Sequence, residues 1–208
     1  MGYGYVPTDA GRYIIYDVDS TIYDEFNHDT VYYKYQLKEV VESIFPDNQG
    51  RPSMRIERYI RNYNPNLSYD SIPWTLKNVW YGTRTTTDYE RVESNQRFVK
   101  LIFPLNNYAY WNGNAQNTIG DWEYQYQGID FPQTQGNMKF DSTAIVIQKD
   151  ETNLLDRRLY KEVYAKGVGL IFKQIFDVYD TNIDITPVIT RIKGGVYYDQ
   201  TIHSYGHN

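Results

Sequence analysis

The sequence predicts an all-β or β-rich α+β protein: a curved antiparallel sheet, half-barrel or sandwich-like, with a long aromatic and Asn-rich excursion. Three observations carry this expectation. The chain holds 23 tyrosines in an aromatic share of 17%, and flat side chains suit a pleated surface. Successive segments alternate apolar and polar residues with period two. No segment shows a strong amphipathic helical pattern: Asp156 to Tyr164 has an N-cap-like Asp156 but also reads acceptably as a strand. At 208 residues, one domain over 1–208 is expected, with about 1–10 and 200–208 as flexible termini.

Gly11 to Tyr23 forms the first expected strand, apolar on both faces as far as Tyr16. From Tyr32 to Phe45 the alternation is clearer, with Tyr33, Tyr35, Leu37, Val41 and Phe45 on one face. Pro46-Asp47-Asn48-Gln49-Gly50-Arg51-Pro52 then supplies turn chemistry, and alternation resumes at Met54, Ile56 and Ile60. These segments predict a hairpin from about Tyr32 to Arg61. Each apolar face carries one charged intruder, Glu39 and Arg58, and a register with Phe45 opposite Pro52 would set the two directly across from one another. An inward pair of this kind acts as a conformational constraint rather than a source of net stability; the alternative is a polar group lining a cavity.

Beyond an Asn, Pro and Ser-rich loop at 62–73, strands are expected at Trp74 to Trp80 and at Arg97 to Phe103, where Pro104 ends the run. Asn106 to Asn137 is read as the excursion, with a short strand at Asp121 to Gln127. Asp141 to Lys149 returns to strand, and Arg158 to Tyr179 divides into two strands that meet near Lys166-Gly167. The tail, around Val196-Tyr197-Tyr198, is expected to add an edge strand whose last residues fray.

Composition narrows the chemistry. A net charge of −5, with 21 basic residues interspersed among 26 acidic ones, argues against nucleic acid as a partner. No apolar run approaches the ~20 residues of a membrane-spanning helix. The absence of cysteine excludes a thiol nucleophile, and three histidines, His28, His203 and His207, in polar or terminal positions make a Ser-His-Asp relay improbable. The same sparse set argues against a metal site, and no catalytic residue or cofactor is assigned. Asp121 and Glu123 flank Trp122, the pair a carboxylate-dependent glycoside hydrolase would need, but carboxylates two apart on a strand are common in a chain this acidic. Gly167 and Gly169 lack the Lys-Ser or Lys-Thr of a phosphate loop. Tyr108, Tyr110, Trp111, Trp122 and Tyr124 are the candidate binding residues, as a stacking platform for sugar rings or a peptide, or else a satellite core capping the sheet.

Three stretches taken together carry a resemblance: Gly11-Arg12-Tyr13-Ile14-Ile15-Tyr16-Asp17-Val18-Asp19-Ser20; Asp47-Asn48-Gln49-Gly50-Arg51 continuing to Arg55-Ile56-Glu57-Arg58-Tyr59-Ile60-Arg61; and Val163-Tyr164-Ala165-Lys166-Gly167-Val168-Gly169-Leu170-Ile171. The pattern resembles a group of uncharacterised lipoproteins of Bacteroidetes-type bacteria. More distantly, the chain is similar to lipoprotein-carrier-like half-barrel envelope proteins. The resemblance implies a lipidated cysteine upstream, membrane association through that N-terminal lipid, and residence in the periplasm or at the outer membrane. It leads to the expectation of a non-catalytic envelope domain that binds a protein partner or a hydrophobic ligand on the concave face of the sheet. The alternative is a carbohydrate-binding module using residues 108–126, with a glycan as ligand.

Overall fold

The computed structural model describes residues 2–208. Twelve strands form one antiparallel sheet, and the strand order makes it a meander: β1 (Arg12–Asp24), β2 (Asp29–Pro46), β3 (Pro52–Asn62), β4 (Thr75–Arg84), β5 (Asp88–Glu93) and β6 (Gln96–Ile102) follow one another outward. On the other side run β7 (Tyr110–Asn112), β8 (Glu123–Gln135), β9 (Met138–Thr152), β10 (Asp156–Ala165), β11 (Gly169–Tyr179) and β12 (Gly194–His207). Because β12 pairs with β1 from Arg12↔His207 to Tyr23↔Gly195, the meander joins its two ends and its seam falls between β6 and β7.

The curved sheet is nearly closed into a barrel. Isolated hydrogen bonds bridge the seam: the Val99 amide donates to Gly113 O at 2.8 Å, Trp111 Nε1 donates to Val99 O at 2.8 Å, and the Tyr126 hydroxyl donates to Ile102 O at 2.7 Å. Closure of this kind removes exposed ladder groups that would otherwise template edge pairing.

The first residues stopper one end. A 3-10 turn at Tyr3–Tyr5 inserts Tyr5 into an apolar cluster with Met54, Ile56, Tyr89, Leu101, Tyr126 and Tyr164. Arg84 Nη1 donates to the carbonyls of Tyr3 and Val6 at 3.1 and 2.7 Å, and the Gly167 amide donates to Gly4 O at 2.7 Å. On another flank, Phe131, Met138 and Phe140 of the β8–β9 hairpin pack with Val163, Ile171 and Ile202, and Gln135 Nε2 reaches Thr201 Oγ1 at 3.4 Å.

Several expectations are revised. At the β2–β3 turn, Asp47 Oδ1 accepts from the amides of Gln49 and Arg51, both at 2.9 Å, and Gly50 takes φ +75°. That turn sets Pro46 opposite Pro52 and Phe45 opposite Ser53, one residue from the expected register. A bulge between Val41 and Ser43 absorbs the difference and restores Glu39 opposite Arg58. It also changes the face on which Phe45 lies, and its ring packs edge-on against Tyr81 at 5.3 Å. The 106–137 excursion contains β7 and all of β8, the latter longer than the Asp121 to Gln127 strand expected. The tail is not an edge: β12 lies between β11 and β1, and residues 200–207 are paired within it. Likewise residues 3–5, expected in a flexible terminus, form the stopper.

Candidate functional site

Beyond the apolar stopper the interior turns polar. Strand alternation places Glu39 of β2, Arg58 of β3, Arg91 and Glu93 of β5, Lys100 of β6, Glu162 of β10 and Lys173 of β11 around one central belt. Lys100 Nζ lies 2.9 Å from Glu162 Oε1, and their strands are remote in sheet order, so this contact spans the interior. Charges alternate along the belt. Glu39 Oε1 accepts from Arg58 Nε at 2.9 Å and from Arg91 Nη2 at 2.7 Å. Arg91 Nε is 3.5 Å from Glu93 Oε1, which is 3.2 Å from Lys100 Nζ. Lys173 stands 3.7 Å from Glu93 and 3.6 Å from Glu162, whose second oxygen accepts from the Tyr164 hydroxyl at 2.6 Å.

This belt is buried: Glu162 is 1% exposed and Lys100 4%. Taking such groups out of water costs several kcal/mol per ion, which only close pairing and hydrogen bonds offset. Burial pushes the Glu39 carboxyl up, yet Arg91 and Arg58 outweigh it and hold it below the ordinary carboxylate range. Glu93 and Glu162 behave alike: desolvation raises them, and Lys100 with Lys173 brings them below the usual value. Four cations face three anions, and the stack of Arg58 on the Trp80 ring at 3.4 Å spreads part of the surplus over an aromatic face.

Two cavities adjoin the belt on the side away from the stopper. One, of about 210 Å³, is bounded by Tyr35, Arg58, Lys77, Trp80, Tyr198 and Gln200 together with belt carboxylates. The other, of about 190 Å³, is bounded by Phe98, Asn114, Trp122, Tyr124, Gln148 and Tyr160. Both touch Glu93, Lys173 and Ile175, so they are neighbouring bays of the interior on either side of these residues, together called the lumen below. The larger holds the volume of roughly seven waters at ~30 Å³ each, room for a small polar ligand.

The sequence-predicted binding residues are distributed rather than assembled. Trp111 packs on Tyr126 at 4.8 Å and Tyr124 at 5.9 Å and ties the seam. Tyr124 is buried, its hydroxyl pushed up to about 12 by desolvation, and it borders the smaller bay. Trp122 borders the same bay, edge-on to Tyr160 at 4.9 Å with Lys149 Nζ 4.8 Å from its ring centre. Tyr108 and Tyr110 are exposed on the surface. Of the acidic pair, Asp121 accepts from Asn112 Nδ2 at 2.6 Å, and both it and Glu123 are exposed.

No family model matches the chain, and no curated protein does. Among solved structures, it is similar to one from Bacteroides fragilis described as an exported protein with a YmcC-like fold, at 9% identity and a TM-score of 0.47, covering 96% of this chain and 97% of that one. It is also similar to one from Parabacteroides distasonis described as a lipoprotein, at 8% identity and a TM-score of 0.43, covering 97% and 98%.

Sequence reasoning found Glu39 and Arg58 but missed Arg91, Glu93, Lys100, Glu162 and Lys173. Their signal was present in Asp88-Tyr89-Glu90-Arg91-Val92-Glu93, which alternates without an apolar face. Here Arg91 and Glu93 enter the belt, while Glu90 pairs with Arg51 and Arg97. A charged interior defeats the apolar-in, polar-out template. The histidines serve elsewhere: His203 Nδ1 lies 2.8 Å from Asp17 Oδ2 and His207 Nδ1 lies 2.8 Å from Asn208 O. Among the described residues there is no group of three or more potential metal ligands.

Proposed function

We propose that the protein is a non-catalytic binding protein of the bacterial cell envelope, and that its ligand occupies the lumen on the side away from the N-terminal stopper. One observation carries the reading: the two bays are backed by a network of ion pairs and lined by aromatic rings and polar side chains that can fix the orientation of a ligand. The envelope placement rests on the three sequence stretches that resemble lipoproteins. A belt of buried ions across the interior disfavours a wholly apolar ligand, which would leave those charges without compensation, and favours one with polar groups. Native mass spectrometry of the protein purified from its own envelope, before and after denaturation, tests the reading. A releasable small molecule, with an acylated N-terminus, is the expected result. An unmodified chain from the cytoplasm overturns the placement, and a ligand that persists when Trp80 and Trp122 are both changed to alanine overturns the lumen.

A second reading has its own support. Tyr108 and Tyr110 are 90% and 69% exposed, and Trp122 borders the lumen a short distance along the chain, so a glycan could lie from the surface into the smaller bay. Loss of retention on immobilised glycans in a folded Trp122→Ala variant would favour it.

A further inference from the structure

Beside the lumen stand buried donors that the protein leaves unused. Trp80 Nε1, Gln200 Nε2 and Gln148 Nε2 are buried without a hydrogen-bond partner in the protein, and all three residues line the bays. Gln200 and Gln148 are only 2% and 4% exposed. The Gln200 amide is oriented, since its Oε1 already accepts from the Tyr198 hydroxyl at 2.7 Å, which leaves the NH₂ free to donate. A buried donor without an acceptor costs about 1–3 kcal/mol, which an acceptor brought in by a lumen ligand would offset.

Charge points the same way. Around the two bays stand Arg58, Lys77, Arg91, Lys100 and Lys173, five cations, against Glu39, Glu93 and Glu162, three anions. The belt carboxylates are engaged by the arginines and by Lys100 and Lys173, and Lys77 is the cation left over. It makes no ion pair among the described residues, sits over the Tyr35 ring at 5.3 Å, and is exposed where the larger bay meets solvent. Desolvation, and after it the neighbouring Arg58, lower its ammonium below the ordinary lysine value. Surplus cations, donors without acceptors and ring-bearing walls describe a partner rich in oxygen and negatively charged.

We propose that the lumen ligand is an anionic sugar, a hydroxylated ring carrying a carboxylate or a phosphate, with its charge against Lys77 and Lys173 and its oxygens accepting from Trp80, Gln200 and Gln148. This deepens the lumen reading and rests on it. A hexose ring beside Trp122 and Phe98 would share Lys173, which borders both bays, with the cations of the larger one.

The test uses three probes that share one ring: D-galacturonate, D-galactose 6-phosphate and D-galactose, titrated into ¹⁵N-labelled full-length protein at constant ionic strength. The reporter is the Trp80 indole N–H, assigned with Trp80→Phe. The Trp111 indole, already bonded to Val99 O, is the internal control. Saturable shifts of the Trp80 signal with one or both anionic probes, at least about tenfold tighter than with galactose, are expected; tenfold corresponds to about 1.4 kcal/mol. Which anion binds more tightly separates carboxylate from phosphate. Lys77→Met should weaken the anionic probe several-fold with thermal stability unchanged, since Lys77 makes no ion pair. Equal binding of galactose and the anions overturns the anion preference while keeping the lumen as a site. Binding unaffected by Lys77→Met removes the charge argument. A Trp80 signal unmoved by all three probes overturns the proposal and counts against the lumen reading as well.

Discussion

Removing Glu39 tests how the buried belt holds the barrel together. In Glu39→Ala, Arg58 and Arg91, only 6% and 5% exposed, lose the carboxylate that accepts from both at 2.9 and 2.7 Å. Breaking a buried pair from one side costs about 3–5 kcal/mol. The low end, about 3 kcal/mol, is expected, because Arg58 keeps Asn78 Oδ1 at 3.2 Å and the Trp80 face, and Arg91 keeps Glu93 at 3.5 Å. For a chain of this length that is a fall in Tm of about 6–12 °C. Urea unfolding followed by tryptophan fluorescence gives the free energies, and the cycle of Glu39→Ala, Arg58→Ala and the double variant isolates the pair. We expect a coupling of about 1.5–3 kcal/mol, the range for hydrogen bonds to charged groups. A coupling below about 0.5 kcal/mol would refute the reasoning. Glu42→Ala is the surface comparison: Glu42 is exposed, pairs with Arg55 at 3.0 Å, and its loss should leave the urea midpoint close to that of the parent protein.

Acid should unfold the protein through the same belt. Glu39, Glu93 and Glu162 are held below the ordinary 4.5 when folded, so their contribution is complete above that value and falls as pH drops from 4.5 toward the folded values, where the unfolded chain takes up protons first. A urea midpoint that stays level from about pH 5 to about pH 3 would contradict this. At Gly195, with φ +124°, an added Cβ would stand 2.1 Å from Asp177 O; Gly195→Ala should cost more than about 3 kcal/mol or prevent folding. At Gly50, with φ +75° and open space around it, Gly50→Ala should cost only about 1–2 kcal/mol, and comparable midpoints for the two variants would show that the close approach at Gly195 does not matter. Trp111→Phe keeps a ring at the seam but removes the donor to Val99 O, which should cost about 1–3 kcal/mol and speed amide exchange at Val99; unchanged exchange there would remove Trp111 from the closure.

Much of the fold was legible because side-chain alternation is local. The β2–β3 hairpin announced itself through Asp47, Gly50 and the flanking prolines, and Glu39 opposite Arg58 follows from adjacent strands joined by a short turn. Strand β5 was missed because its inward residues are charged, and β7 because three residues are too few to show a period. The lumen was illegible for a different reason. Lys100 and Glu162 are 62 residues apart, and nothing in either segment says that they face each other across an interior. The aromatic segment did hold two lumen residues, Trp122 and Tyr124, but Tyr108 and Tyr110 went to the surface and Trp111 to the seam.

By itself the sequence determined strand after strand, the turns between many of them and the strangeness of two inward charges, since each depends on residues within a few positions of one another. Only the tertiary structure decided that β12 pairs with β1, that the first residues become a stopper, and that seven charges from six strands pair with one another around a lumen. Those outcomes depend on closing the sheet, a long-range event whose energetics belong to pairings far apart in the chain. Burial then turns isolated charges, unremarkable in a sequence, into partners that must be satisfied.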